Sequence, residues 1–316
     1  MSLLDEMSRG VGIGIHDLNK IIATAPKRYK VYQIAKRNGG LRTIAQPSFE
    51  LKLLQRFLIS SKLSGFPVHR SATAYKERSS IVKNASAHRR NDVILKLDFK
   101  DFFPSIRVRD WKALLKKNSE QVMSDDDQSI CARILFWGSG RPDPYCLSIG
   151  APSSPILSNI FMYDLDVACF ASAKNEGVRY TRYADDITLS GESVEGVLRA
   201  EKAIRTSIAQ CKTPKLQFND TKRGMYLRGQ RRMVTGLVIT PERTISIGRD
   251  RKRLISAMMH RSTLGQLAPP DMSRLKGFIA FALDAEPDFV TRLRAKYGDR
   301  AIDRVLAFDP PRRAVK

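Results

Sequence analysis

The sequence predicts an α+β fold in which strand pairs and helices form one compact body with subdomains. Three observations predict it. Helix-period and strand-period patterns alternate along the 316 residues. Hydrophobic residues make up 42% of the chain, which supplies enough apolar surface for a real core. No internal repeat and no low-complexity linker divides the chain.

The elements follow in order. Residues 29–46 read as a hairpin, because two β-favouring runs flank Asn38-Gly39-Gly40, a turn able to supply positive φ. After Pro47 and Ser48, Leu51, Leu54, Phe57 and Leu58 recur at helical spacing. Residues 93–99 alternate, with Val93, Leu95, Leu97 and Phe99 on one face and Ile94, Lys96 and Asp98 on the other. Further on, Pro155 suits the first position of a helix, Ser153 or Ser154 suits its N-cap, and Ile156, Leu157, Ile160, Phe161, Leu165 and Ala168 give it a buried face. Residues 178–189 read as strand, tight turn, strand. Val178, Tyr180 and Arg182 alternate with Arg179, Thr181 and Tyr183, the turn falls at Ala184-Asp185, and Ile187 and Leu189 resume the period. Near the C-terminal end, Leu254, Ile255, Met258 and Met259 form the packed face of a helix that carries Arg251, Lys252, Arg253 and Arg261 elsewhere.

Composition restricts the partner. With 55 Lys+Arg against 32 Asp+Glu, the formal charge is +23, far beyond what solubility requires, so nucleic acid is the expected partner. Basic residues are densest at 228–232 and 248–253. No apolar run approaches the ~20 residues of a membrane span, and the first residues carry acidic groups and no hydrophobic signal core, so a cytoplasmic location away from membranes is expected. Cys131, Cys146, Cys169 and Cys211 are widely spaced, which indicates neither a zinc site nor a disulfide framework, and they read as free buried thiols.

Two acidic clusters carry the chemistry: Asp98 with Asp101, and Asp185 with Asp186. Carboxylates beside strand-like apolar runs cost free energy unless a positive partner is present, and a divalent cation is the obvious one. Two such ions clamp the attacking and leaving oxygens of phosphoryl transfer. A glycine would ease the Ala184-Asp185 turn, so retaining Ala and Asp indicates that side-chain chemistry outranks turn comfort. The small, glycine-containing loop before Pro155 leaves a helix N-terminus open to phosphate or to a template strand.

From about Tyr29 to Tyr297 the chain resembles the reverse transcriptases, and within them the retron reverse transcriptases of bacteria. Tyr183-Ala184-Asp185-Asp186 is similar to the family's YADD box, Leu97-Asp98-Phe99-Lys100-Asp101-Phe102-Phe103 to its first aspartate motif, and Gly150-Ala151-Pro152-Ser153-Ser154-Pro155 to the segment that touches template and incoming nucleotide. Asn84-Ala85-Ser86-Ala87-His88 resembles the NAxxH element, and Val234-Thr235-Gly236 the VTG element, which distinguish retron enzymes from group II intron and retroviral relatives. One departure is Ile149, where many relatives carry Gln before the Gly of this loop.

The resemblance implies a right-hand polymerase. Its fingers would lie at 1–92, its palm, an antiparallel sheet with helices, at 93–240 with a fingers insertion at about 104–147, and a helical thumb at 241–316. It implies RNA-directed DNA synthesis with two Mg²⁺ ions, Mn²⁺ being a possible substitute, held by Asp98 and Asp185 with Asp186 assisting and the Phe99 carbonyl completing the shell. Arg42 and Lys36 would grip the incoming triphosphate, Phe103 would be the steric gate against a 2′-hydroxyl, Asp101 and Gly150 would border the nucleotide, and Lys222 would protonate pyrophosphate. Asn84, His88, Thr235 and Gly236 would contact RNA, and Arg251 and Arg253 would follow a phosphate backbone.

As partners the resemblance implies dNTPs, a cognate noncoding RNA primed at an internal guanosine 2′-hydroxyl, its branched RNA–DNA product, and an effector protein in antiphage defence. About eighty residues follow Gly236, room for a thumb but not for an RNase H domain as well, so template removal is expected from a host RNase H. Two other readings are distinguishable. A group II-like enzyme would lack the paired NAxxH and VTG elements, and an RNA–DNA scaffold restraining a toxin would bind RNA without incorporating dNTPs.

Overall fold

The computed structural model describes residues 2–36, 39–117, 123–138 and 145–309. By compactness the chain divides into two units, Met1–Ser79 with Leu95–Met225 and Ser80–Ile94 with Tyr226–Lys316. Each is built from two separate stretches of sequence.

In the first unit the expected hairpin is present as antiparallel strands Tyr29–Ala35 and Leu41–Pro47, in register from Tyr29 opposite Pro47 to Ala35 opposite Leu41. Gly39 and Gly40 adopt φ of 83° and 79°, as a turn of this kind requires, while Asn38 lies outside the described residues. Helix Phe49–Leu58 follows, its first turn capped by Ser48 Oγ, which accepts from the Leu51 N–H. Leu51, Leu54 and Leu58 are buried as expected, Phe57 is half-buried, and the unforeseen inward residue is Gln55, whose Nε2 donates to Tyr29 Oη and to the Ile134 carbonyl.

A four-stranded sheet carries the acidic clusters, in the order Arg179–Tyr183, Asp186–Gly191, Val93–Asp98, Gly224–Tyr226. The predicted alternation in Val93–Asp98 is only half right. Ile94 is as buried as Val93, because a central strand is covered on both faces. Helix Val194–Gln210 packs on Tyr163–Asn175 and on the Asp186–Gly191 strand. The helix after the Gly150 loop runs as two pieces, Ser154–Phe161 and Tyr163–Asn175, bent by 53°. Its N-cap is Ser153, but the cap has no side-chain hydrogen bond, since Ser153 already has helical φ and ψ and is fully buried. No single helix among the described residues is long and apolar enough to cross a membrane. The four cysteines are free, with Cys131 and Cys169 buried and Cys146 and Cys211 half-buried.

In the second unit, strands Arg232–Val234, Leu237–Ile239 and Ile245–Ser246 form an antiparallel sheet. Val234 pairs with Leu237, so Thr235 and Gly236 are a two-residue turn, with φ of 48° and 79°. Positive φ at both positions is the geometry that matches strand twist in a tight hairpin. Four helices follow: Arg249–Thr263, Pro269–Ala285, Pro287–Tyr297 and Asp299–Ala307. Two begin on proline, whose missing N–H costs nothing in a first turn. Ile255, Met258 and Met259 enter a core with Leu275, Ile279, Val290, Ile302 and Val305. Leu254, expected on that face, is instead 39% exposed, because Ile255, Met258 and Met259 already span the stripe.

Candidate active site

The sheet order places Val93–Asp98 directly beside the strand that begins at Asp186. Strand Arg179–Tyr183 pairs antiparallel with Asp186–Gly191, and Tyr183 faces Asp186 across a turn formed by Ala184 and Asp185. Ala184 holds φ at 56°, the left-handed conformation that a glycine would adopt more easily. The Phe99 N–H donates to the Asp185 carbonyl at 3.1 Å, which joins the two acidic clusters through their backbones. Phe99 itself is buried, its ring stacked between Phe102 and Phe218.

The three carboxyl groups share one electrostatic environment. Burial pushes Asp186 up to about 6, the Asp185 charge adds to this, and a hydrogen bond with Asp98 favours the protonated form further, against the opposing Lys96. Asp185 is raised by burial and by the charge of Asp98, while Lys222 and Arg42 pull it back. Asp98 is 7% exposed, and its Oδ1 accepts from Lys222 Nζ at 2.7 Å. Hard carboxylate oxygens whose negative charge is held back by mutual repulsion fit a divalent cation. Among the described residues no three such groups stand already gathered as a coordination cage, and Asp98 is paired with Lys222 instead.

The other expected site residues fall into three groups. Around the carboxylates, Arg42 is close enough for its charge to act on Asp185 and Tyr75. Phe103 is half-buried, its ring 6.5 Å from Tyr75, and it lines a cavity of about 390 Å³ with Lys52, Arg56, Ile149, Gly150 and Ser154. Gly150 has φ of 123°, and a Cβ there would lie 3.1 Å from the Ala45 carbonyl oxygen, so this position needs glycine on both counts. The same loop is tied to the hairpin strand by the Ala45 N–H, which donates to the Ile149 carbonyl at 2.9 Å.

Near the site but turned to backbone work, Asp101 is exposed at φ 46°, its carbonyl accepting from the Ser105 N–H. Lys36 is exposed at the end of the hairpin strand. In the second unit, Asn84 and His88 are buried, at 1% and 0% exposure, on and just past helix Ile81–Ser86. The VTG turn is fastened to that helix, since Thr235 Oγ1 donates to the Ile81 carbonyl at 3.1 Å, and Gly236 is exposed. Arg253 is exposed, while the Arg251 guanidinium lies 5.1 Å over the Phe281 ring.

Sequence reading missed the support beneath the acidic turn. Arg182 and Asp166 are fully buried and doubly bonded, Nη2 to Oδ2 at 2.6 Å and Nε to Oδ1 at 2.8 Å, and Tyr180 Oη donates to the same carboxylate at 2.7 Å. Arg182 Nη1 then donates to the Ala184 carbonyl at 3.1 Å and to Asn159 Oδ1 at 3.2 Å. The available signal was a pair of charges at positions whose neighbours demand burial: Arg182 shares its face with Val178 and Tyr180, and Asp166 follows Leu165 in a buried stripe. A second network joins Glu201 to Arg205 and Arg223, and Arg205 to Asp220, on either side of Lys222.

Comparison with known proteins identifies the family. Residues 34–256 match the family described as reverse transcriptase (RNA-dependent DNA polymerase). The chain is 33% identical over 92% of its length to the Retron Ec83 reverse transcriptase of Escherichia coli, covering 94% of that protein. It is 29% identical over 96% of its length to the Retron Ec86 reverse transcriptase of the same organism, covering 93% of it. Among solved structures, an apo telomerase from Candida tropicalis superposes with a TM-score of 0.51 at 13% identity, over 88% of this chain and 57% of that one. The chain thus spans little more than half of that solved protein, and the likeness speaks to fold alone. With the family matched across the acidic clusters and retron relatives matched along nearly their whole length, the chain belongs to the reverse transcriptases, RNA-dependent DNA polymerases, and among them to the retron reverse transcriptases.

Proposed function

We propose that the chain copies a cognate retron noncoding RNA into branched, multicopy single-stranded DNA by nucleotidyl transfer, with Asp98, Asp185 and Asp186 as the catalytic carboxylates. The observation that carries this reading is the convergence of Asp98 with the Asp185-Asp186 turn across adjacent strands. The same carboxylates would hold Mg²⁺, or Mn²⁺ in its place, with the Phe99 carbonyl. When bound, the metal would lower the pKa of the attacking hydroxyl and neutralise the triphosphate.

The chain's own groups take the remaining roles. Arg42, with Lys36 further along the hairpin, supplies positive charge for the triphosphate. Phe103, which lines the cavity beside Gly150, would be the ring that excludes a 2′-hydroxyl, and Gly150 and Asp101 would border the nucleotide. Lys222, within hydrogen-bond reach of Asp98, would give a proton to the leaving pyrophosphate. In this reading, residues 1–92 with 104–147 are fingers, 93–240 palm and 241–316 thumb. Asn84 and His88 serve RNA recognition through the surface they support, since their side chains are buried. Thr235, Gly236, Arg251 and Arg253 would contact the RNA in this reading. Initiation from an internal RNA 2′-hydroxyl, template removal by a host RNase H, a cytoplasmic location, and defence against phage with an effector protein complete the proposal.

The test replaces Asp185 and Asp186 by Asn. Primer extension on an RNA template should fall to background while the circular dichroism spectrum and melting temperature stay close to those of the parent. Extension at the parental rate would remove these carboxylates from the mechanism.

A further inference from the structure

The second unit buries a cation with too few partners. Arg232 is 0% exposed. Its Nη1 donates to the Asn91 carbonyl at 2.7 Å and its Nη2 to the Thr240 carbonyl at 3.0 Å, but its Nε has no acceptor among the described residues. Two neutral carbonyls do not balance a buried guanidinium. The carboxylate acting on it is Asp92, and that group is already divided between Arg243, at 3.3 Å, and Arg228, at 3.9 Å.

Asp92 is thus the one carboxylate shared among three guanidiniums, with Glu242 near enough to feel the charge of Arg228, and the charges of Arg228 and Arg243 both oppose that of Arg232. The cluster faces solvent: the side chains of Arg228, Arg243 and Asp92 are 52%, 44% and 40% exposed. Arg89 and Arg90, which precede Asn91 in the chain, are exposed as well. The chain's balance of 55 basic to 32 acidic residues offers little further compensation.

A phosphodiester matches this excess of positive charge. It brings one negative charge and two oxygens that accept from guanidinium forks, and arginine is the side chain best shaped for it. We propose that Arg228 and Arg243, with buried Arg232 supporting the field, bind a backbone phosphate of nucleic acid, and that Asp92 is the resident anion with which the phosphate competes. The site rests on the nucleic-acid substrate of the proposed function. It lies in the unit that holds the NAxxH and VTG elements: Arg232 begins the strand that ends at Val234, and its Asn91 partner lies three residues past His88. A strand bound there would therefore report on both elements.

The test measures binding of a fluorescein-labelled RNA hairpin, and of a DNA hairpin of the same sequence, to the full chain over a series of NaCl concentrations. The Arg228→Gln/Arg243→Gln double variant should lower the slope of log K against log salt by ~0.7–0.9, the value for one phosphate no longer neutralised. Asp92→Asn should bind several-fold more tightly than the parent at equal salt, a gain that a merely structural role would not produce. A slope change with either hairpin supports the site and identifies the strand. If the double variant fails to fold, Arg228→Gln alone should show about half the slope change. Unchanged slopes on both hairpins, or weaker binding by a folded Asp92→Asn, would overturn the site. Failure of the parent chain to bind either hairpin would instead overturn the nucleic-acid reading itself.

Discussion

At the residue scale, two side chains near the acidic turn separate chemistry from support. Phe103 lines the cavity beside Gly150, and Phe103→Ala should narrow the preference for dNTPs over rNTPs by roughly tenfold or more, the range expected when a pocket wall is removed. Competition between the two nucleotides in single-turnover extension measures it, and unchanged sugar discrimination would remove the gate role. Arg182 acts differently, holding the Ala184 carbonyl from a buried pair with Asp166. Asp166→Asn leaves that guanidinium without its counter-charge and should cost about 3–5 kcal/mol in urea unfolding. The aspartates of the site were legible from sequence because carboxylates beside apolar strand runs need a reason to be there. Arg182 was not, because one charged residue in an alternating run reads equally well as facing water.

At the element scale, the Gly150 loop and the hairpin strand are held together by a backbone hydrogen bond and an approach that a Cβ would crowd. Gly150→Ala should cost about 1–3 kcal/mol through backbone strain and raise the KM for dNTP more than it lowers kcat. An unaltered KM would mean that the loop does not border the nucleotide. The helix Val194–Gln210 is tied to the Asp220–Lys222 turn through Glu201, Arg205 and Arg223. Burial raises the Glu201 carboxyl, but the hydrogen bonds from Arg223 and Arg205 outweigh it, and its pKa lies below the usual 4.5. A carboxyl depressed in the folded state adds stability above its unfolded pKa and loses it as pH falls through the folded value. Acid unfolding of Glu201→Gln should therefore show a flatter limb below about pH 4.5 than that of the parent; identical limbs would assign the acid sensitivity elsewhere. Hairpin, helices and the strand–turn–strand were legible because periodicity and glycine chemistry mark them. The 53° bend after Phe161 carried no Pro or Gly to announce it.

At the scale of the whole molecule, the formal charge of +23 was the plainest signal in the sequence, and it predicts that the chain purifies with nucleic acid attached. Extraction followed by separate RNase and DNase digestion should show a branched product sensitive to both; protein free of nucleic acid at low salt would count against the proposed partner. The α+β class was legible because local signals suffice for it. The division into units was not, because which segments pack together depends on residues distant along the chain, and residues 80–94 gave no sign that they belong with 226–316.

That interleaving has a consequence for synthesis. The segment carrying Ala85 and Ile94 leaves the ribosome some 130 residues before the stretch that completes its core. Until then its apolar groups lack their native partners, which leaves the nascent chain open to aggregation for that interval. Cutting the gene at residue 225 would likewise yield a C-terminal fragment, 226–316, without the 80–94 stretch that its folding unit includes.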